Sequence, residues 1–419
     1  MSFPLADQGP EPTAPISALQ PAPIIGLAAI ARLAFSGSPE LQVLWQSLIK
    51  RTATAPEDVG ALLDLSVIEL IAGRRDNRLR MQAQALAKQR IYRLAPIVER
   101  AAPLRLLAFM VPGDFMVNTP VEFLLEGSAV QLDSLYLLPG EPLPPFIPEH
   151  DVAFVAIAES EQNRPLLQFM REAAKNWPTP IVNAPQLIER LTRDGACDLL
   201  CNTPGLLMPA NRRVSRTDLQ NVVNGAASLD ALISKNFPII ARPVGSHGGQ
   251  GLEKLTDRAE LAIYLQRQSG AEFFVSPFVD YRSADGLYRK SRVALIEGRA
   301  YGCHLAISPH WMVHYLNADM AGNAGNRAEE ARFLTNFDEE FGARHKETFA
   351  AIAARTGLDY AQLDCAETSD GRLLLFEIGT AMIVHAMDPV DVFPYKKPAM
   401  EKTFAAFVAL LSRKAASAR

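Results

Sequence analysis

The fold of this protein is best predicted from the stretch Phe237-Pro-Ile-Ile-Ala-Arg242-Pro-Val-Gly245-Ser-His-Gly-Gly-Gln-Gly251-Leu. A β-rich run leads into a loop that holds four glycines in seven residues. Glycine lets backbone N–H groups approach an oxyanion without a Cβ in the way, so such a loop can wrap a phosphate chain. The loop lacks the Gly-Lys-Ser/Thr of a Walker loop, and no Gly-x-Gly-x-x-Gly opens a helix here. The stretch therefore predicts a strand and a loop that either covers phosphates or is a glycine-rich hairpin without a ligand.

Charged residues stand on three predicted strands that follow this loop. Residues 288–299 begin with a dense basic run and end at a Glu-Gly turn. Residues 358–367 contain Asp364, and their partner across an Asp-Gly hairpin turn, residues 372–379, contains Glu377. Magnesium prefers oxygen ligands and usually takes one or two carboxylates, leaving its other positions to phosphates and water. A glycine loop, a basic strand and two carboxylates on paired strands together form a constellation for metal-assisted phosphoryl transfer.

The rest of the chain divides into three segments. Residues 1–23 are rich in proline and are predicted to form a disordered arm. Residues 24–100 show apolar residues at helical spacing and predict a helical domain, reminiscent of one tetratricopeptide unit or a plain docking or packing domain. From Leu104 to residue 207, short apolar runs alternate with helical stretches, which predicts an α/β layer with a mostly parallel sheet.

Length and charge limit the classes of function. The chain has 419 residues, which suggests two to four domains. Its net charge is −4, so there is no overall positive charge that would indicate a nucleic-acid partner. The sequence contains no run of roughly 20 apolar residues, which a membrane-spanning helix would need. Four scattered cysteines exclude a disulfide scaffold, and the first 23 residues have no basic n-region of a signal peptide. We therefore expect a cytoplasmic protein that acts on small molecules or peptides.

From about Leu104 to its C-terminus the sequence resembles the ATP-grasp ligases, closest in pattern to glutathione synthetases and ribosomal-protein glutamate ligases. The resemblance implies a pre-grasp α/β domain at 104–207, preceded by the helical region, and a two-lobed ATP-grasp fold at 208–419. The first lobe would span about 208–275 and the second about 276–419. The combined fold class is α/β and α+β, and the implied cofactors are ATP and Mg²⁺.

The resemblance also implies site residues, motif by motif. Arg242 and Arg216 match the two nucleotide-contacting lysines of the family, and Arg292 matches its strand arginine near the transferred phosphate. Asp364 and Glu377 match two of the metal acids. The other implied ATP-binding residues are Gly245, Ser246, Gly248, Gly249 and Gly251 in the phosphate-covering loop, Ser276, Phe278 and Val279 in the adenine-binding linker, and Asp280 or Asp285 at the ribose.

Three departures from the family pattern bear on this site. Both lysine positions are arginine, which keeps the charge and adds bidentate phosphate geometry. Gly379 replaces the metal-site asparagine two residues after the second acid, so a water or Thr380 would have to complete a magnesium shell. The strand entry before Arg292 is denser in cations than the family shows, and Lys290 is predicted to face the acyl phosphate or the substrate.

Three polar residues are weaker candidates for substrate contacts. His314 belongs to a histidine group around Trp311 that is either structural or lines the substrate site. His385 follows the metal strand where the family approaches its acceptor, and the alternative is a packed histidine. Asn118 follows a predicted strand, where most polar residues simply form turns.

These residues favour an ATP-dependent carboxylate–amine ligase that forms an amide or peptide bond through an acyl phosphate. Two alternatives stay open: a nucleotide-binding module without ligase activity that docks a partner, and an ATP-grasp kinase or phosphotransferase. We expect no nucleic-acid or membrane partner, and leave open a peptide or protein partner at the helical N-terminus and a homo-oligomer.

Overall fold

The computed structural model describes residues 20–94, 104–246 and 248–417. Most of the predicted disordered arm, residues 1–19, lies outside the described residues. Its last residues are described, and Ala22–Ile24 forms a short strand rather than part of an arm. No helix within the described ranges is long and apolar enough to cross a membrane.

Four helices follow this strand, as the apolar spacing predicted. The third begins where the Asp58 carboxylate accepts a hydrogen bond from the Ala61 N–H, which satisfies one of the free N–H groups of the first turn. The helices are α1 (Leu27–Phe35), α2 (Glu40–Thr54), α3 (Val59–Ile71) and α4 (Arg75–Lys88).

These helices do not form a separate domain. The strand before them, β1 (Ala22–Ile24), and the strand after them, β2 (Ile91–Leu94), join one sheet with the strands of the α/β segment. The sheet has the order β1-β2-β4-β3-β5-β6, and Leu63 and Leu86 of the helices pack against it. This sheet therefore extends across the predicted boundary near residue 100. The other strands are β3 (Arg105–Met110), β4 (Gln131–Tyr136), β5 (Val152–Val155) and β6 (Ile181–Val182).

Parallel pairing dominates the predicted pre-grasp part of this sheet. β3 pairs in parallel with β4 and β5, and β5 pairs in parallel with β6, as the alternation of apolar runs and helices predicted. We call the six-stranded sheet with its helices, residues 20–205, the α/β layer. Its remaining helices are α5 (Val121–Leu124), α6 (Arg164–Ala174), α7 (Pro185–Ile188) and α8 (Arg193–Leu200).

The next part of the chain, residues 212–277, forms a small lobe with its own antiparallel sheet. The strand order is β10-β9-β11-β8, and the glycine-rich loop joins β9 to β10. Its core contains only residues of this segment. The elements are β8 (Arg212–Ser215), α9 (Arg216–Val223), α10 (Leu229–Ile233), β9 (Ile239–Pro243), β10 (Glu253–Leu255), α11 (Arg258–Arg267) and β11 (Glu272–Pro277).

The large lobe, residues 278–417, is built on a five-stranded sheet of order β13-β12-β14-β15-β7. Its edge strand β7 (Leu206–Leu207) comes from the segment assigned to the pre-grasp domain. Hydrophobic residues of this sheet share one core with β3 and β5 of the α/β layer, including Leu107, Phe109, Leu363 and Leu375. The elements are β12 (Tyr288–Ile296), β13 (Arg299–Ser308), α12 (Ala324–Thr335), α13 (Phe341–Arg344), α14 (Lys346–Thr356), β14 (Tyr360–Glu367), β15 (Leu373–Gly379) and α15 (Lys396–Ala416).

An α/β layer thus precedes two lobes that are each a sheet with helices. The predicted fold class is confirmed. The predicted domain limits change at two places, because the N-terminal helices belong to the α/β layer and residues 206–207 belong to the sheet of the large lobe.

Candidate active site

A cleft of about 1450 Å³ lies between the small lobe and the large lobe. Its walls are the strand ends of β9 and β11, the strands β12, β14 and β15, and the segment 311–314 that follows β13. The cleft brings together many of the residues predicted to form the site. These are Arg242, Gly248, Gly249, Ser276, Phe278, Val279, Lys290, Arg292, His314, Asp364 and Glu377.

The glycine loop closes one side of the cleft. Gly248 and Gly249 adopt positive φ values of 59° and 78°, a conformation that side chains with a Cβ rarely adopt. A Cβ on Gly249 would lie 2.7 Å from His314 Nε2, so a larger residue would require the His314 side chain or the loop to move. The loop therefore contacts both lobes across the cleft.

Arg242 stands at the end of β9, below the loop. Its guanidinium Nε donates to Ser246 Oγ at 3.1 Å, and Nη2 donates to the Ser246 carbonyl, so Arg242 holds the loop as well as facing the cleft. Burial, together with the nearby charge of Arg193, lowers its pKa to about 10. Arg242 still carries a positive charge at neutral pH and can bind an anion.

The linker from the small to the large lobe forms an apolar slot at the far end of the cleft. The Phe278 ring meets the Trp311 ring edge to face, with the ring centroids 5.9 Å apart. The Lys254 ammonium lies over the Phe278 ring, 3.7 Å from its centroid. The Tyr281 hydroxyl donates to the Trp311 carbonyl at 2.6 Å and fixes that segment. A slot with aromatic walls suits a planar heterocycle.

The floor of the cleft is a row of charged residues set by strand register. Arg292 on β12 is the direct partner of Asp364 on β14, and Asp364 is the direct partner of Glu377 on β15. Arg292 binds Asp364 through two hydrogen bonds, Nε to Oδ1 at 2.9 Å and Nη2 to Oδ2 at 3.2 Å. Lys290 adds a third contact, with its ammonium 2.8 Å from Oδ2. The two carboxylates thus lie on paired strands, as the sequence predicted.

The electrostatics of this row follow from its burial. Burial alone would raise the pKa of Asp364, but the charges of Arg292 and Lys290 hold it well below its usual range. Asp364 is therefore ionised throughout the physiological range. Glu377 is less buried, and its Oε1 accepts from Arg193 Nη2 at 2.9 Å.

The predicted magnesium donors do not fit a metal ion in this arrangement. Both oxygens of Asp364 accept hydrogen bonds from cations, and Gly379 has no side-chain oxygen to offer. Among the described residues, no group of three or more His, Cys, Asp or Glu side chains is arranged to hold a metal. The magnesium ligands assigned from the resemblance therefore lack support from the geometry.

Arg216 does not reach the cleft. The chain leaves β8 at Ser215, whose side chain caps helix α9 by accepting from the Asp218 N–H, so Arg216 begins a helix instead of ending a strand. Its guanidinium donates to three backbone carbonyls, those of Leu265, Gln268 and Gly270. These bonds hold Arg216 against the backbone of the small lobe and away from the residues that line the cleft, so the predicted phosphate contact is not supported.

Several other predicted ATP contacts lie beside the cleft rather than in it. Asp280 is paired with Arg282, and Asp285 with Arg289, on the exposed side of the linker, so neither carboxylate reaches the place predicted for a ribose. Gly245, Ser246 and Gly251 belong to the glycine loop without lining the cleft.

The three substrate candidates have different outcomes. His314 lines the cleft against Gly249, and burial together with the charge of Lys290 lowers its pKa below 6.5. Asn118 bonds both the N–H and the carbonyl of Val111 and serves the backbone, so it is a structural residue. His385 packs near the Phe123 ring, with Nδ1 4.0 Å from the Asp388 carboxylate, and does not line the cleft.

Sequence reasoning missed two residues of the α/β layer and one residue of the segment that follows it. Arg193 and Met116 of the layer and Asn211 of the following segment line the cleft. Arg193 begins helix α8 directly after its capping residue Thr192. No sequence motif around Arg193 marks it as a site residue, because its place in the cleft depends on how the α/β layer packs against the large lobe.

No protein-family model and no curated protein sequence matches this chain. The structure resembles the VanG D-Ala:D-Ser ligase from Enterococcus faecalis, with 13% identity, a TM-score of 0.46, and coverage of 74% of this chain and 100% of that one. It also resembles the D-alanyl-alanine synthetase A from Vibrio cholerae, with 12% identity, a TM-score of 0.47, and coverage of 76% and 100%. A third similar structure is the RimK domain ATP-grasp protein from Sphaerobacter thermophilus, with 14% identity, a TM-score of 0.41, and coverage of 73% and 99%. Likenesses this distant assign neither a substrate nor a residue role to this chain.

Proposed function

We propose that this protein is an ATP-dependent carboxylate–amine ligase that forms an amide or peptide bond. One observation carries the proposal: four cations and two carboxylates line one cleft beneath a glycine loop and beside an aromatic slot. The excess of positive charge suits a triphosphate, and the slot suits the base of a nucleotide. The cations are Arg193, Arg242, Lys290 and Arg292.

The reaction would take place in two balanced steps. The substrate carboxylate attacks the γ-phosphorus of ATP, the bond to the β,γ-bridging oxygen breaks, and ADP leaves an acyl phosphate behind. The amine nitrogen then attacks the acyl carbon, the C–O bond to phosphate breaks, and the amine proton is lost as the amide forms. Phosphoryl transfer requires mainly positioning and charge neutralisation from a protein, which matches a cleft lined by cations.

Each residue has a role that follows from its place. Arg242 binds the phosphates and holds the glycine loop through Ser246, and the loop keeps water from the acyl phosphate. Arg292 faces the transferring phosphoryl group, with its plane fixed by Asp364 and by the Ile383 carbonyl, which accepts from Nη1 at 3.0 Å. Lys290 stands next to it in the cleft. No step is assigned to magnesium, because the predicted donors do not fit it.

The test is ADP release by the full chain with panels of carboxylic acids and amines, with products identified by mass spectrometry. We expect release that needs both an acid and an amine, together with an amide product. Arg292→Met should lower the rate at least 100-fold. Arg299→Met, an exposed arginine on the neighbouring strand paired with Asp338, is the matched control and should keep the rate.

The same experiment separates the alternatives. A phosphorylated acceptor in place of an amide would identify a kinase or phosphotransferase. The engaged Asp364 and the missing donor at Gly379 favour, as a second candidate, a nucleotide-binding module without ligation. Calorimetry that shows ATP binding, with no ADP release for any pair of acid and amine, would support that module and contradict the ligase.

A further inference from the structure

Side chains of the protein itself engage both oxygens of the Asp364 carboxylate and use three of its about four lone-pair sites. Oδ1 accepts from Arg292 Nε at 2.9 Å, while Oδ2 accepts from Arg292 Nη2 at 3.2 Å and lies 2.8 Å from Lys290 Nζ. The Asp364 side chain is only 8% exposed, so water cannot replace these contacts at low cost. A divalent ion needs free oxygen lone pairs at about 2.0–2.1 Å, and it would meet two positive groups already bound to the same carboxylate.

Lys290 reaches Asp364 because of the pleat of β12. Residues 290 and 292 are two apart and therefore point to the same face of the sheet. Both meet the carboxylate that β14 presents to that face. Lys290 is itself largely buried, with 14% of its side chain exposed, and its ammonium faces the cleft.

The neighbouring positions 377 and 379 do not supply the free oxygen ligands that Asp364 cannot offer to a metal ion. Glu377 is paired with Arg193, and Gly379 has no side chain. The glycine is not required by space, because a Cβ at 379 would meet only Met382 Cε at 3.7 Å, an ordinary contact. It is not required by the backbone either, since Gly379 is not among the residues with positive φ. The described part of the site thus has the Lys290 ammonium paired with one acid and no side-chain donor at position 379.

We infer that the Lys290 ammonium is a built-in counter-ion that stands in place of a metal ion at Asp364. The nucleotide complex then holds at most one divalent cation, bound through the phosphates, and none through Asp364. This inference rests on the proposed function, because it requires that the cleft binds ATP. It also explains why the cleft gathers more cations than carboxylates.

The test counts metal ions by electron paramagnetic resonance of Mn²⁺, with the protein saturated by the non-hydrolysable analogue AMPPNP and corrected for nucleotide alone. Four proteins form a cycle: wild type, Lys290→Met, Gly379→Asn and the double variant. We expect at most one bound Mn²⁺ per chain in wild type and in Gly379→Asn. The double variant should bind one Mn²⁺ more, because Asp364 is released and a donor is supplied. Lys290→Arg keeps the charge and should match wild type.

The outcomes separate the inference from the function. Two Mn²⁺ ions in the wild-type complex, or an equal number in wild type and the double variant, would overturn the inference and leave the ligase standing. Absence of AMPPNP binding by wild type at any Mn²⁺ or Mg²⁺ concentration would contradict both. The wild-type count decides the matter by itself if a variant does not fold.

Discussion

Gly249 of the small lobe lies close to His314 of the large lobe across the cleft. It combines a positive φ of 78° with a position where a Cβ would lie 2.7 Å from His314 Nε2. We predict that Gly249→Ala weakens ATP binding about tenfold, because the loop or the His314 ring that lines the cleft must move to admit the methyl group. Isothermal titration calorimetry with ATP measures the change.

A matched control separates the clash from the cost of the backbone. Gly245 has nearly the same φ, 79°, but a Cβ there would meet nothing within 4 Å. Gly245→Ala pays the same conformational cost of about 1 kcal/mol without the clash. Equal affinities for the two variants would show that closure onto His314 plays no part in binding.

His304 predicts a dependence of stability on pH. Its ring lies 4.9 Å from the Tyr315 ring, and burial, with the charge of Arg292, lowers its pKa well below 6.5. The native protein therefore stays unprotonated at His304 below pH 6.5 while the unfolded chain takes up a proton, so this group lowers stability as the pH falls. Its contribution is absent at pH 8 and approaches about 1.4 kcal/mol per pH unit well below 6.5.

We therefore expect His304→Gln to reduce the loss of unfolding free energy between pH 6.5 and 5.5. Urea titrations at several pH values measure this free energy for both proteins. Other groups titrate in the same range, including Glu122, whose pKa burial raises to about 7, so only the difference between variant and wild type is informative. Parallel curves for the two proteins would show that His304 does not resist protonation.

At the scale of elements, strand register explains why part of the site could be predicted from the sequence. The hairpin of β14 and β15 follows from an Asp-Gly turn between two apolar runs, and this pairing places Asp364 opposite Glu377. Local patterns fix such neighbours because the side-chain period of a strand is two residues. The prediction fails at Arg216, where the capping Ser215 ends the strand and starts helix α9. The sequence also does not show that Lys290 and Arg292 bind the Asp364 carboxylate. The contact between Arg292 and Asp364 depends on the pairing of two strands whose contacting residues are 72 positions apart in the chain.

A buried carboxylate anchors the segment that faces the glycine loop. Glu330 on α12 is fully buried and accepts from the Leu305 N–H at 3.1 Å, the Tyr315 hydroxyl at 2.9 Å and the Tyr395 hydroxyl at 2.7 Å. The Lys396 ammonium lies 3.6 Å from it. This network ties β13, α12, α15 and the segment after β13 together.

We predict that Glu330→Gln lowers the free energy of unfolding by about 2 kcal/mol, because the buried Lys396 loses a charged partner. Chemical denaturation measures the effect. Glu329→Gln, at the adjacent residue, is the control: its side chain is 39% exposed and paired with Arg289, so its loss should cost less than about 1 kcal/mol. Equal effects at both positions would contradict the anchoring role of Glu330.

At the scale of the whole molecule, the cores do not follow the divisions suggested by the sequence. The sequence suggests that helices α1 to α4 form a segment distinct from the α/β segment, because their apolar spacing differs from the β-rich pattern that follows. The strands β1 and β2 on either side join them to the α/β layer, and strands of three and four residues give too little pattern to be recognised. Sequence pattern predicts what each segment is, whereas the assignment of segments to a common core depends on contacts between distant strands.

The sharing of cores leads to a prediction about cooperativity. The small lobe has a core of its own, whereas the α/β layer and the large lobe share one that contains both Leu107 and Leu363. Asn183 strengthens this junction, since its amide Nδ2 donates to the Tyr360 carbonyl at 2.8 Å and its Oδ1 accepts from the Tyr360 N–H at 2.9 Å. We therefore expect two units of local stability, with the small lobe as one and the remaining layers as the other.

Two core truncations and hydrogen exchange test this division. Phe273 and Leu363 are both fully buried, the first in the small lobe and the second in the shared core. Phe273→Ala should lower the opening free energy of amides in residues 212–277 by about 3 kcal/mol and leave those of β3, β5 and β14 unchanged. Leu363→Ala should lower protection in both the α/β layer and the large lobe, since they lose the same contacts. Faster exchange throughout the molecule in Phe273→Ala would show one cooperative unit, and the small lobe could not then close over a nucleotide independently of the rest.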